Sequence, residues 1–177
     1  MGERKTYHRG RRKKKKGGII STLILIIAIA VFCVSGYQLY KIFGGYHQGK
    51  SEYDKVREVA VHGDDKDEDE FVVDFDELKK INADTVGWIR FYPEPSQISY
   101  PLVQTTDNDL YLNRTFSANE NTVGAIFVNC DNASDFSDRN TIIYGHRMRD
   151  HSMFHDLEKY KDESFWKENP YFYIYTP

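Results

Sequence analysis

The stretch Thr141-Ile142-Ile143-Tyr144-Gly145-His146 places an imidazole at the end of a run of β-formers, beside a residue with no side chain. A titratable ring at a strand end is either a general acid/base facing a cleft or a hydrogen-bonded packing residue. The local sequence leaves both open. Cys130 closes the preceding apolar run, Gly124 to Cys130, and is the one thiol outside the apolar N-terminal segment that holds Cys33. It is therefore a candidate nucleophile. His151 and His155 follow four residues apart and, with His146, suggest a shared metal. No glutamate follows the first histidine as His-Glu-x-x-His chemistry requires, so surface histidines and no metal are expected.

Several short elements must position these groups. Asp74 followed by Glu77 has the spacing of a capping box, and Phe75, Leu78 and Ile81 fall on one face of a short helix. Val86–Phe91, Ile98–Gln104, Gly124–Cys130, Thr141–His146 and Tyr171–Thr176 read as strands. Ser152 and Asp162 are expected helix caps, the second helix ending before Pro170. Short strands with inserted helices predict a mainly β fold, a barrel or sandwich with α additions.

The formal net charge of −3 hides two unlike parts. Of 24 Lys/Arg and 27 Asp/Glu, nine bases and one acid lie in residues 1–17, leaving 15 bases against 26 acids beyond them. Ile19 to Tyr40 then contains no charged residue, long enough for a bilayer core that needs roughly 20 apolar residues. Basic residues before such a span stay in the cytoplasm, which argues for topology rather than nucleic-acid binding. The expected organisation is a basic cytoplasmic tail (residues 1–17), a transmembrane anchor (18–43), an acidic extracellular stalk (44–70) and a folded domain (71–177). The stalk reading rests on the polar run ending in DDKDEDE, too charged to bury a core. With Cys33 in the anchor, the domain has no pair of cysteines for a disulfide and relies on its core.

The order of motifs resembles the class B sortases from about Phe71 to Pro177. It comprises TVGWI, YPLVQTTDNDLYLNRTF, GAIFVNCDNASDFSDRNTIIYGHRMRDHSMFHDLEKY and NPYFYIYTP. The Gly-x-Ile-Phe strand, the Asp-Phe-Ser-Asp-x-Asn-Thr turn, the Tyr-Gly-His strand end and the Ser-Met-Phe-x-Asp-Leu segment stand in the family's order and near its spacing. The resemblance implies a sortase-type β-barrel, truncated here and preceded by a single transmembrane helix. It implies a membrane-anchored cysteine transpeptidase of Gram-positive bacteria. Such an enzyme cleaves a sorting-signal peptide and joins the protein to a cell-wall peptidoglycan or pilin amine.

By that resemblance His146 takes the position of the catalytic histidine, and Asn108 and Leu112 match the spacing of a groove that holds an Asn-Pro-containing signal. The local alternative is that Asn108 is a helix cap and Leu112 ordinary core. No cofactor and no nucleic acid are implied, while the membrane is an expected partner. The family's nucleophile, in a Thr-x-x-Cys motif, and its arginine belong to later strands than the last present before Pro177. A truncated class B sortase, inactive by itself, is therefore expected. The rival from another class is a non-catalytic, membrane-tethered extracellular peptide-binding module.

Overall fold

A computed structural model describes residues 17–63 and 70–177; the basic tail before Gly17 and most of the acidic run lie outside the described residues. The chain divides into two compact units between Lys41 and Ile42. The first helix, α1 (Gly17–Ala60), contributes to both units. Its large apolar side chains from Ile19 to Phe43 are exposed. Among the described residues this helix alone is long and apolar enough to cross a membrane, which makes it a candidate span.

Within the second unit, β1 (Val61–His62) pairs with β2 (Val72–Val73), and α2 (Phe75–Ile81) follows. The main sheet is built from β3 (Thr85–Phe91), β4 (Ser99–Val103), β5 (Ile126–Val128), β6 (Ile143–Tyr144) and β7 (Phe172–Tyr175). Its order is β6-β5-β4-β3-β7, with β4 and β5 parallel and the other pairs antiparallel. The result is a mixed half-barrel with inserted helices, the mainly β fold expected. Every expected strand is present; β3 starts one residue earlier than its expected run, and the other four are shorter than theirs. The capping reading of α2 also holds: the Asp74 carboxylate accepts from the Glu77 N–H at 3.0 Å. Asp162 likewise caps α3 (Glu163–Glu168), accepting from the Ser164 N–H at 2.8 Å. Ser152 does not cap the following segment, a 3₁₀ helix over His155–Lys161, since its hydroxyl donates to Asp150 instead.

The polar stretch read as the start of a stalk is different in the structure. Helix α1 continues to Ala60, and Gly49, Tyr53, Val56 and Ala60 are buried along one face. Their spacing of four, three and four residues is an amphipathic stripe. It packs on the domain through Gly49 against Val123 and through Tyr53, whose hydroxyl donates to the Gly124 carbonyl (2.7 Å) and accepts from the Phe116 N–H (3.2 Å). Burial pushes that hydroxyl's pKa well above its ordinary value. The Glu52 carboxylate takes the Ser117 N–H at 3.1 Å and the Asn119 side chain at 3.0 Å. Residues as far as Ala60 therefore belong to the domain core, alongside Trp88, Leu102, Phe116 and Ile126.

Candidate active site

His146 follows β6, the edge strand, and is half-buried. Two glycines allow close packing around it, Gly124 against the ring itself and Gly145 against its neighbours. A side chain at Gly145 would meet Ile126 Cδ1 at 2.4 Å and Phe154 Cδ2 at 2.6 Å. At Gly124, whose φ of +66° disfavours other residues, a Cβ would lie 2.8 Å from His146 Cδ2. The ring is thus wedged against backbone. Its Nε2 lies 2.6 Å from the Leu112 carbonyl, and because a carbonyl only accepts, Nε2 carries the proton and donates. Nδ1 has no hydrogen-bond partner among the described residues, so the neutral ring offers a lone pair there.

Asn108 precedes a short 3₁₀ turn, Leu110–Leu112, that Leu112 closes. Neither local alternative holds. Leu112 is 36% exposed, so it is a surface wall rather than core. The capping acceptor is Asp107, which takes the N–H groups of Leu110 and Asp109 at 2.8 Å each. Those donors hold its carboxyl below the usual carboxylate range. Asn108 instead accepts the Cys130 N–H at 2.9 Å, while its amide nitrogen has only a long contact, 3.4 Å, with Asn129. The segment is further fixed by Tyr111, whose carbonyl accepts the Ala125 N–H at 2.9 Å. Burial raises the Tyr111 hydroxyl to about 12. Since Asn108 meets the residues after β5 and Leu112 meets those before it, the segment runs along β5 from one end to the other.

Strand register separates the two candidate reactive groups. Phe127 faces Tyr144 and Val128 faces Ile143. Continuing that pairing sets Cys130 opposite Thr141 and His146 opposite Ala125. At about 3.4 Å per residue the two lie roughly 17 Å apart along the pair. Cys130 therefore cannot serve His146 as a nucleophile in this arrangement. It lines an open cleft with Thr105, Asp107, Leu110 and Asn132.

The loop between β5 and β6 contains polar groups whose structural role the sequence reading did not anticipate. The Asn132 side chain donates to the Asp138 carboxylate and the Asn140 carbonyl, at 2.8 Å each, and accepts from the Ile142 N–H at 2.9 Å. Asp138, taking the Asn132 amide and the Ala133 N–H, is held below its ordinary pKa. Gln104 donates to the Asn129 and Asn132 carbonyls. The density of Asn and Asp between two β runs was the only available signal. His155 also departs from expectation: it is buried, not a surface histidine, and its Nδ1–H donates to the Met148 carbonyl.

A mixed half-barrel preceded by a long apolar helix is the architecture of a sortase. Sortase B of Listeria monocytogenes is 35% identical over 155 residues, which are 83% of this chain and 60% of that protein. Sortase B of Staphylococcus aureus is 30% identical over 148 residues, 84% of this chain and 60% of that protein. Among solved structures, sortase B from Bacillus anthracis in complex with AAEK1 superposes with a TM-score of 0.66 at 35% identity, over 76% of this chain and 64% of that one. A Staphylococcus aureus sortase B–substrate complex gives a TM-score of 0.54 at 35% identity, over 58% of this chain and 46% of that one. No family-wide sequence profile matches. The chain belongs to the class B sortases, and it spans 60% of the length of the two curated relatives.

Proposed function

We propose that this protein is a membrane-anchored sortase of class B whose His146 is the acid/base of a cysteine transpeptidation. The observation that carries the reading is the wedged imidazole of His146, proton-bearing at Nε2 and open at Nδ1, at the end of a segment bearing Asn108 and Leu112. The stretch of about 17 Å along β5 accommodates about five extended peptide residues. Asn108 offers an amide to a peptide carbonyl there, and Leu112 an apolar wall. Helix α1 is the anchor, with the basic tail inside and the domain outside, so that the site meets surface proteins carrying sorting signals.

The chemistry needs a thiolate as partner. A cysteine sulfur attacks the signal's scissile carbonyl carbon, the C–N bond breaks, and the imidazolium gives its proton to the leaving amine. The thioester then transfers its acyl group to a cell-wall or pilin amine, which returns a proton to the imidazole as the thiolate leaves. Within the second unit Cys130 is out of reach of His146, so residues 1–177 by themselves should not turn over substrate.

The test uses an Asn-Pro-Gln-Thr-type peptide with an amine acceptor. Residues 1–177 alone should give no product, whereas appending the later strands of a class B sortase after Pro177 should give transpeptidation. In that extended protein His146→Ala should lower kcat by about 10²–10⁴-fold. Turnover by residues 1–177 that vanishes in Cys130→Ala would overturn the assignment, as would an extended protein indifferent to His146→Ala. Saturable peptide binding by a folded extended protein that lacks turnover would favour the non-catalytic binding module.

A further inference from the structure

We propose that His151, His155 and Asp156 bind a divalent transition-metal ion of the zinc class. One ligand atom from each lies within 4.8 Å of those of the other two. The cluster occupies the segment after His146 and is separate from the transpeptidation chemistry.

Burial gives the first argument. His155 and Asp156 are only 7% and 5% exposed, and ionisable groups are rarely buried without partners. His155 is also oriented as a metal ligand would be. Its Nδ1–H is spent on the Met148 carbonyl, which leaves Nε2, 3.4 Å from Glu158 Oε1, as the nitrogen an ion would take in place of a proton. A backbone carbonyl in that role is the common outer support of metal-bound histidines. His151, at φ +65°, adopts a left-handed conformation, which histidine tolerates better than most residues. Its ring sits 4.0 Å from that of His155, centre to centre.

Distances give the second. His151 Nδ1 lies 3.3 Å from Asp156 Oδ1, and His155 Nε2 lies 3.4 Å from Glu158 Oε1. Ligands about 2.0–2.1 Å from a tetrahedral ion are about 3.3 Å from one another. The outer oxygens are already engaged: Asp156 Oδ2 by Lys159 at 3.0 Å and Glu158 Oε2 by Arg147 at 2.5 Å. The oxygens turned toward the imidazoles are thus Asp156 Oδ1 and Glu158 Oε1. A water completes the fourth position. Two imidazoles with one carboxylate oxygen suit zinc, nickel or copper, whereas calcium and magnesium take oxygen sets.

The consequence reaches the neighbouring histidine. The Phe154 N–H donates to the His146 carbonyl at 2.9 Å, and Arg147 bridges Met153 across the same loop. An ion holding His151 to His155 and Asp156 fastens this loop closed behind His146.

Zinc chloride is titrated calorimetrically into untagged residues 1–177 in detergent, with calcium and magnesium as controls. One saturable zinc site is expected, with no response to calcium or magnesium. His151 has a side chain 69% exposed, so His151→Ala should fold; it and Asp156→Asn should each weaken binding by at least the ~10-fold that loss of an outer partner costs. Zinc should slow hydrogen exchange of the Phe154 amide, and Cys33→Ser with Cys130→Ser should leave binding intact. Absence of a saturable site, binding unchanged in His151→Ala, or loss in the cysteine variant would overturn the proposal.

Discussion

At the scale of single residues, the candidate site depends on atoms that are absent as much as on those present. Gly145 leaves the space into which Ile126 and Phe154 pack. Gly145→Ala should destabilise the domain by about 1–3 kcal/mol through overpacking, measured by denaturant unfolding in detergent. Wild-type stability in that variant would show that Ile126 and Phe154 are not closely packed there. The glycine and histidine were legible in the sequence because a strand-ending Gly-His is a local pattern, and the motif order strengthened it. Cys130 shows the limit. Its distance from His146 depends on strand direction and register, which hydrophobic alternation alone does not encode. His155 was missed for a related reason: a helical spacing of four residues predicts a shared face but not whether that face is covered.

At the scale of elements, the largest departure from expectation is the second half of α1. Gly49, Tyr53, Val56 and Ala60 form a narrow stripe in a stretch that is otherwise polar, and the nearby acidic run outweighed it in composition. The small residues Gly49 and Ala60 contribute little hydropathy but permit close approach. Tyr53 joins this helix to both ends of the loop that leads from Phe116 to Gly124, next to His146. Tyr53→Phe keeps the ring and removes the hydroxyl, leaving a buried carbonyl and a buried N–H without it. The expected cost is about 1–3 kcal/mol, with faster hydrogen exchange at the Phe116 amide. Unchanged exchange there would mean that the loop is held independently of α1. Strand identities, by contrast, were readable from β-branched and aromatic runs, since β3 is buried along nearly its whole length.

At the scale of the whole molecule, charge is unevenly distributed along the chain. Nine bases and one acid precede the apolar run, while 26 of the 27 acids follow residue 17. A bilayer resists moving a cluster of cations across it, and short basic flanks set orientation more strongly than acidic ones do. The exposed apolar surface of α1 from Ile19 to Phe43 makes it a candidate membrane span, consistent with the same placement. With the N-terminus inside, protease added to intact cells expressing the chain should destroy an epitope placed after Pro177 and spare one placed before Arg4. Replacing Arg11, Arg12 and Lys13 to Lys16 with glutamine should mix the two orientations, so that a fraction of the N-terminal epitope becomes cleavable. Complete protection of the C-terminal epitope in intact cells, with cleavage only after lysis, would place the domain inside and remove the basis for an encounter with surface substrates.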